Sequence, residues 1–493
     1  MALCGGVGAS ALPSELIVHI FSFLPARDKL RASAVCSRWR ECLFYPALWP
    51  QLKLRLGGGS GPRTDETPKL EFLMRKFGSF VRELQLEFAP VEGYLSPLQG
   101  VDGGMDPTGD DQQLPGRWRD ALHTYLEQVL CVLRSLRNNR NLQKLSLYGD
   151  TCILHEEGIV DNIPLNQCEQ EGKKIKEIKQ LFEEILANSR QLKWLSSAFM
   201  LGMVTPNSLS AMSNLSANTL EHLSLLDNQI PSLIPCIEVH RLHNLRSLAL
   251  DFCDFTSEMC RILSTSDHLP LHRLSLLLNS TALPNKPLDV TPSEKDWQVL
   301  VRHSANLRVY IMALDVRSQD LLSVLKPSLP LERIHFDSYS TCTSEAVVDL
   351  ISRQYLKTLT HFILMRDLME RDDTGFPDLS DSRNEDPLVI LAWRCTRLSV
   401  LVIHGYTVWA HNLIAISRLR GSNLKVLAVS EESIDFDQDQ HLLFQEEDPI
   451  HNLIEEVSSG LGRPWHPMVD TSVVLSEPTQ HFYREMQRFS EGM

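Results

Sequence analysis

Apolar residues recur along most of this chain in one short pattern: an apolar residue is followed, three and five positions later, by two more. The last two share one face of an extended strand, and the first packs in the turn before it. Nine clear copies start at Val81, Leu142, Leu220, Leu245, Leu271, Leu331, Leu359, Leu398 and Leu424, and looser copies start at Leu192 and Leu307. From Leu192 onward, most neighbouring copies start 24 to 28 residues apart. The pattern therefore predicts a series of short strands at a nearly fixed period.

Helical periodicity fills the intervals between these strands. Short helices are predicted after Ser257, Ser318 and Ser344, and longer ones over 120–136 and 171–188. Strand plus helix, repeated about ten times, is typical of an α/β solenoid in which each unit buries its leucines only against its neighbours. The pattern resembles a leucine-rich-repeat array, although its period is irregular. An ordinary α/β domain is the alternative.

The first 55 residues follow a different pattern. Ser14 is placed to cap a helix that ends before Pro25, and two further short apolar clusters follow. Three short helices in about 40 residues have too little interior to bury so many large side chains among themselves. Part of this apolar surface is therefore expected to face a partner.

The order of residues in this region resembles the F-box family. The matching runs are Leu12-Pro13-Ser14-Glu15-Leu16, Ile20-Phe21-Ser22-Phe23-Leu24, Val35-Cys36-Ser37-Arg38-Trp39 and Leu48-Trp49. The resemblance implies three helices that dock onto the Skp adaptor of a cullin ubiquitin-ligase scaffold. By the same resemblance, the residues that contact the adaptor or hold the helices for it are Leu12, Pro13, Leu16, Ile20, Leu24, Val35, Cys36 and Trp39. The alternative is a small helical cap on the domain that follows.

These patterns predict four regions. An F-box over 10–55 is followed by a flexible joint over 56–67, which is rich in glycine. The leucine-rich-repeat-like solenoid of alternating strands and helices occupies 68–435, with insertions at 89–116, 148–172 and 367–387. Residues 436–493 are predicted to form a C-terminal capping helix and a tail that is loose beyond about Pro478.

Charge is unevenly distributed along the chain. Residues 1–62 contain 7 basic and 3 acidic residues, and the remainder contains 41 and 59, within a net charge of −14. Acidic residues concentrate in 367–386 and 431–448. So acidic a body disfavours nucleic-acid binding, because phosphate contacts need Lys and Arg. Either these tracts are solvated loops, or they attract a basic protein partner.

Catalytic chemistry is weakly represented. His268 and His272 are four residues apart, but Pro270 lies between them, and no clustered Cys/His set suggests a metal site. No phosphate-binding glycine loop or nucleophile elbow is found, so no catalytic residue, cofactor or metal is predicted. The 11 cysteines are scattered singly, which favours reduced thiols in the cytoplasm or nucleus, and no apolar run is long enough to predict a membrane span.

The sequence therefore predicts a non-catalytic substrate receptor of a Skp–cullin–F-box ubiquitin ligase, in which the repeats bind one or more target proteins. A scaffold that uses the F-box only to bind the adaptor, without promoting degradation, is the leading alternative. An enzyme with an unrecognised active site is the second.

Overall fold

The computed structural model describes residues 12–56, 67–88, 114–149, 169–200, 203–226, 236–279, 291–338, 341–366, 376–379, 386–436, 449–469 and 478–492. The chain divides into two compact units, Met1–Leu220 and Glu221–Met493. The predicted joint and insertions lie largely outside the described residues. At their margins, the last residues of the 89–116 and 148–172 insertions are already helical.

Three short helices open the first unit. They are α1 (Ser14–Ser22), α2 (Ala26–Ser33) and α3 (Ser37–Leu43), followed by a 3-10 turn, Pro46–Leu48. Ser14 was predicted to cap α1, but it is the first helical residue; Pro13 occupies the cap position, and no side chain caps the helix. The helix also ends at Ser22, three residues before Pro25.

A parallel sheet follows directly in the same unit. Its strands are β1 (Gln51–Leu56), β2 (Glu83–Phe88), β3 (Lys144–Tyr148) and β4 (Trp194–Ala198). They pair in sequence order, and the register aligns Leu52, Leu84, Leu145 and Leu195, all buried. Strand β1 was not predicted, because its residues were assigned to the end of the F-box and the start of the joint.

Helices connect these strands. They are α4 (Thr67–Phe77), α5 (Leu114–Leu136), α6 (Glu169–Asn188), α7 (Ser208–Ala211) and α8 (Asn214–Ala217). Their apolar residues at helical spacing are buried, for example Leu126, Leu130 and Leu133 of α5. Buried Asn139, just after α5, donates from Nδ2 to the carbonyl oxygens of Gly78 (2.8 Å) and Val81 (2.7 Å). This side chain links the segment after α5 to the segment between α4 and β2, since it satisfies two carbonyl groups that the strands leave free.

The second unit repeats the arrangement. Its main strands are β5 (His222–Leu226), β6 (Ser247–Asp251), β7 (Arg273–Asn279), β8 (Arg308–Leu314), β9 (Leu331–Ser338), β10 (His361–Arg366), β11 (Val400–His404) and β13 (Val426–Val429). A short separate pair is formed by β12 (Val408–Trp409) and β14 (Ile434–Asp435). All strand pairings among the described residues of this unit are parallel, and β8 carries a register shift against β9 between Val309 and Tyr310.

The helices of this unit are α9 (Cys236–Val239), α10 (Ser257–Leu263), α11 (Glu294–His303), α12 (Ser318–Val324), α13 (Glu345–Gln354), α14 (Pro387–Arg394), α15 (Ala410–Arg420), α16 (Pro449–Leu461) and α17 (Pro478–Glu491). Each of the eleven apolar patterns found in the sequence overlaps a strand. The predicted α/β fold class is confirmed: three N-terminal helices are followed by a solenoid-like region of parallel strands and helices.

The C-terminal region seals the last repeat and then returns to the sheet. Helix α16 packs on α15, and buried Trp465 donates from Nε1 to the carbonyl oxygen of Leu427 (2.8 Å), an acceptor on the last strand. The prediction of a loose tail beyond Pro478 was wrong, because α17 packs against β6, β7 and β8. Phe482, Met486 and Phe489 of α17 are at most 1% exposed.

Candidate functional site

The three N-terminal helices share a small apolar core. Ile17 and Phe21 of α1 pack with Cys42 and Leu48, and all four are buried. The Trp39 ring meets the Phe21 ring edge-on, with 5.5 Å between centroids. These contacts fix the angles between the helices, because a core this small is set by a few large side chains.

Half of the predicted adaptor-contacting residues hold this arrangement together. Leu12, Leu24 and Trp39 are partly buried and pack against the core. Cys36 is half-buried at the N-cap of α3 and adopts extended backbone angles. Their position indicates a structural contribution in addition to any contact with a partner.

The other predicted residues are open to solvent. Leu16 is 49% exposed, Ile20 48% and Val35 67%, and Pro13 is exposed at the start of α1. Leu16 and Ile20 are one helical turn apart and therefore lie on the same side of α1, about 100° around the helix from the buried pair Ile17 and Phe21. Apolar side chains left uncovered on so small a unit are typical of a surface that binds another protein.

Two further exposed residues on or next to α1 and α2 were missed in the sequence. Phe23 is 76% exposed and Leu30 is 55% exposed. Ile20 follows Leu16 by four residues and Phe23 follows Ile20 by three, so the helical stripe could have identified Phe23. Leu30 stands alone in the otherwise polar helix α2, and no periodic signal marks it. We define Leu16, Ile20, Phe23, Leu30 and Val35 as the exposed F-box residues.

The helical unit is firmly joined to the first repeat. The Trp49 ring packs on the Phe77 ring of α4 at 5.6 Å between centroids. The Pro50 carbonyl oxygen accepts from the backbone amides of Arg82 (2.9 Å) and Glu83 (3.0 Å). Within the helical unit, Lys29 Nζ donates to the Leu48 carbonyl oxygen at 3.1 Å and fixes the turn that leads into β1. A partner bound to the exposed F-box residues is therefore held in a defined position relative to strand β1 and its neighbours.

The described residues offer little for catalysis. Among them, no group of three His, Cys, Asp or Glu side chains is arranged to hold a metal ion. Burial raises the pKa of the Cys395 thiol to about 12 and also raises the pKa of Cys131, so both remain protonated at neutral pH and are poor nucleophiles. In this part of the chain, no helix is long and apolar enough to cross a membrane.

Comparison with known proteins agrees with this geometry. Residues 9–55 match the F-box-like family, the region of the three helices and most of β1. The chain is similar to F-box only protein 33 of Homo sapiens, with 63% identity across 100% of this chain and 90% of that protein. Its similarity to the Mus musculus F-box only protein 33 is 62% across 100% and 89%. It is also 22% identical to F-box/LRR-repeat protein 21 of Mus musculus, across 93% of this chain and 89% of the relative.

Proposed function

Because this chain belongs to the F-box protein family, we propose that it is the substrate-recognition subunit of a Skp–cullin–F-box ubiquitin ligase. In this proposal the exposed F-box residues bind the Skp adaptor, which links the chain to the cullin scaffold. The repeats bind a target protein and present it for ubiquitination. The chain contributes position and effective concentration, and forms or breaks no bond itself.

The observation that carries the proposal is the division of the F-box side chains into two sets. Ile17 and Phe21 form the core of the helical unit, whereas Leu16 and Ile20 of the same helix remain about half exposed. A cap that only sealed the repeats would direct its apolar residues toward the sheet. The rigid contact of Trp49 with Phe77 supports transmission of the adaptor's position to the repeats.

Adaptor capture tests the first half of the proposal. The intact chain should co-precipitate the Skp adaptor, and the Leu16→Ala, Ile20→Ala double variant should bind it about a hundredfold more weakly, since each truncation removes about 1.5 kcal/mol of apolar burial. Val299→Ala with Leu322→Ala is the matched control, because those two side chains are 46% and 39% exposed on helices outside the F-box. Equal capture by both variants would mean that the α1 stripe is not the adaptor surface.

Ubiquitin transfer tests the second half. A reconstituted complex containing the intact chain should promote ubiquitination of a captured target, and the double variant should not. Capture of both adaptor and target without ubiquitin transfer would support the scaffold alternative. Substrate turnover by the isolated chain would support an enzyme.

The acidic composition suggests the general character of the target. Outside residues 1–62 the chain has 41 basic and 59 acidic residues. Such an excess attracts a basic partner over long range, in an interaction that salt weakens. We therefore propose a target with a basic surface, bound in the cytoplasm or nucleus. Target association rates that do not change between low and high salt would argue against a basic target.

A further inference from the structure

One face of the second unit's sheet is covered by the chain's own C-terminal helix. Side chains alternate along each strand, so Leu274 and Leu276 of β7 lie on one face, and Arg273 and Ser275 lie on the other. Arg273 contacts α17 directly, as do Tyr310 of β8 and Arg333 of β9. We define the inner strand face by the side chains of Ser247, Arg273, Ser275, Tyr310, Arg333 and His335.

Aromatic and charged contacts hold α17 on this face. The Tyr310 ring lies 5.1 Å from the Phe482 ring and 5.8 Å from the Phe489 ring, between centroids. The guanidinium groups of Arg273 and Arg333 lie 5.2 and 5.0 Å from the Phe489 ring centroid, in cation–π geometry. Arg273 Nε also donates to the Phe489 carbonyl oxygen at 3.2 Å.

A carboxylate on α17 completes the match of charge. Glu485 lies between Phe482 and Phe489 on the helix, and its Oε2 atom lies 3.6 Å from Nη1 of Arg333. Desolvation lowers the pKa of Arg273, and the neighbouring Arg308 and Arg333 lower it further, although Glu332 opposes them. An acidic side chain on any covering helix therefore relieves the repulsion among these arginines.

The packing of α17 nevertheless leaves several buried polar groups of the strand face without hydrogen bonds. The hydroxyls of Ser247 and Ser275 and both ring nitrogens of His335 are buried and have no hydrogen-bond partner among the described residues. The nearest ring of α17 to His335 is that of His481, at 5.9 Å between centroids. Burying polar groups without partners costs free energy, so α17 is held less tightly than its apolar contacts alone would suggest. A helix that carried hydrogen-bonding side chains at these points would compete with it.

The connection to α17 is short but sufficient for release and return. Met468 is fixed beside the last strand, where its amide donates to the Val429 carbonyl oxygen at 2.8 Å. In the first turn of α17, His481 lies beside His335 of β9. Strand β9 is three strands away from the last strand, or about 14 Å at the usual spacing. The nine residues from Val469 to Pro478 reach about 30 Å when extended. The helix can therefore leave the face while the repeats stay folded, and it remains tethered at high effective concentration.

We infer that α17 is a displaceable cover and that the inner strand face is a docking site for an amphipathic helix of a target protein. The target helix carries three apolar side chains at the spacing of Phe482, Met486 and Phe489, and a carboxylate at the position of Glu485. This inference rests on the proposed function, because it places target binding on the repeats. The chemistry of the partner is taken from the helix that already occupies the face.

The experiment uses the full-length chain with a specific protease site placed within 470–477. The probe is a fluorescent peptide of residues 478–492. Before cleavage, the tethered helix should exclude the probe. After cleavage, α17 is no longer tethered and can dissociate. The probe should then bind at least tenfold more tightly than it does before cleavage. A probe with Phe482→Ala and Phe489→Ala should not bind, and one with Glu485→Gln should bind several-fold more weakly. No binding of the probe to the folded, cleaved chain would overturn the inference.

Two measurements on uncleaved protein guard against failure of the cut chain to fold. Amide hydrogens of α17 should exchange at least tenfold faster than those of β7–β9 in the intact chain; equal rates would show that α17 opens only with the whole unit and would overturn the inference. The Phe482→Ala, Phe489→Ala full chain should accept the probe without cleavage, and the Val299→Ala, Leu322→Ala chain, altered at exposed positions on other helices, should not. Skp adaptor capture, measured in the same samples, reports separately on the proposed function.

Discussion

The buried imidazole of His335 is expected to make the stability of the second unit depend on pH. Burial lowers the pKa of His335 to about 3, with a smaller contribution from His481, whereas an exposed histidine has a pKa of 6.5. Between these pH values the unfolded chain binds a proton that the folded chain does not. The stability contributed by the neutral side chain is therefore present above pH 6.5 and is lost as pH falls. From pH 7 to pH 5 the loss is about 2 kcal/mol, at about 1.4 kcal/mol per pH unit below 6.5.

Chemical denaturation of wild type and His335→Gln, at pH 7 and at pH 5, measures this loss. Other titrating groups contribute to both proteins and cancel in the difference. The variant should lose about 2 kcal/mol less than wild type between the two pH values. His451→Gln is the control, because the His451 side chain is 71% exposed and should behave as wild type. Equal pH dependence of wild type and His335→Gln would show that the folded state takes up a proton at His335 as readily as the unfolded state.

Three further substitutions test contacts that hold the repeats, each by the shift in the free energy of unfolding. Asn139→Ala should cost about 3 kcal/mol, because it leaves two buried backbone carbonyls without their donors. Trp465→Phe should cost about 1 kcal/mol, because it keeps the ring but loses the bond to the Leu427 carbonyl oxygen. Asp386→Ala should cost about 2 kcal/mol, because Asp386 caps α14 through two backbone amides and accepts from Asn412. A cost below about 0.5 kcal/mol in any of them would show that the contact contributes little.

The repeats were predictable because one local rule sets their strands. Each apolar pattern requires alternate side chains to be buried, and the structure places Leu248, Leu274 and Ile334 on the same side of strands β6, β7 and β9 with almost no exposure. Strand β1 obeys the same rule through Leu52, Leu54 and Leu56, but it follows the F-box without a separating turn. The F-box motif was therefore extended over residues that belong to the sheet.

The C-terminal helix shows what local patterns cannot supply. Phe482, Met486 and Phe489 have the spacing of an amphipathic helix, so the element itself could have been found in the sequence. Its burial depends on Arg273 and Tyr310, which lie more than 170 residues earlier and contact it only in three dimensions. No periodic signal connects positions so far apart, and the residues beyond about Pro478 were therefore predicted to form a loose tail.

The two candidate surfaces differ in a way that bears on regulation. Leu16 and Ile20 remain exposed in the described structure, whereas the inner strand face is occupied by α17. If both proposals hold, adaptor binding needs no rearrangement, and target binding must overcome the tethered helix. The apparent target affinity then equals the affinity for the uncovered face multiplied by the fraction of molecules in which α17 is displaced. Phe482→Ala with Phe489→Ala should raise target affinity and leave adaptor capture unchanged, because the substitutions lie outside the F-box. A parallel loss of adaptor capture would mean that the two surfaces are coupled through the fold.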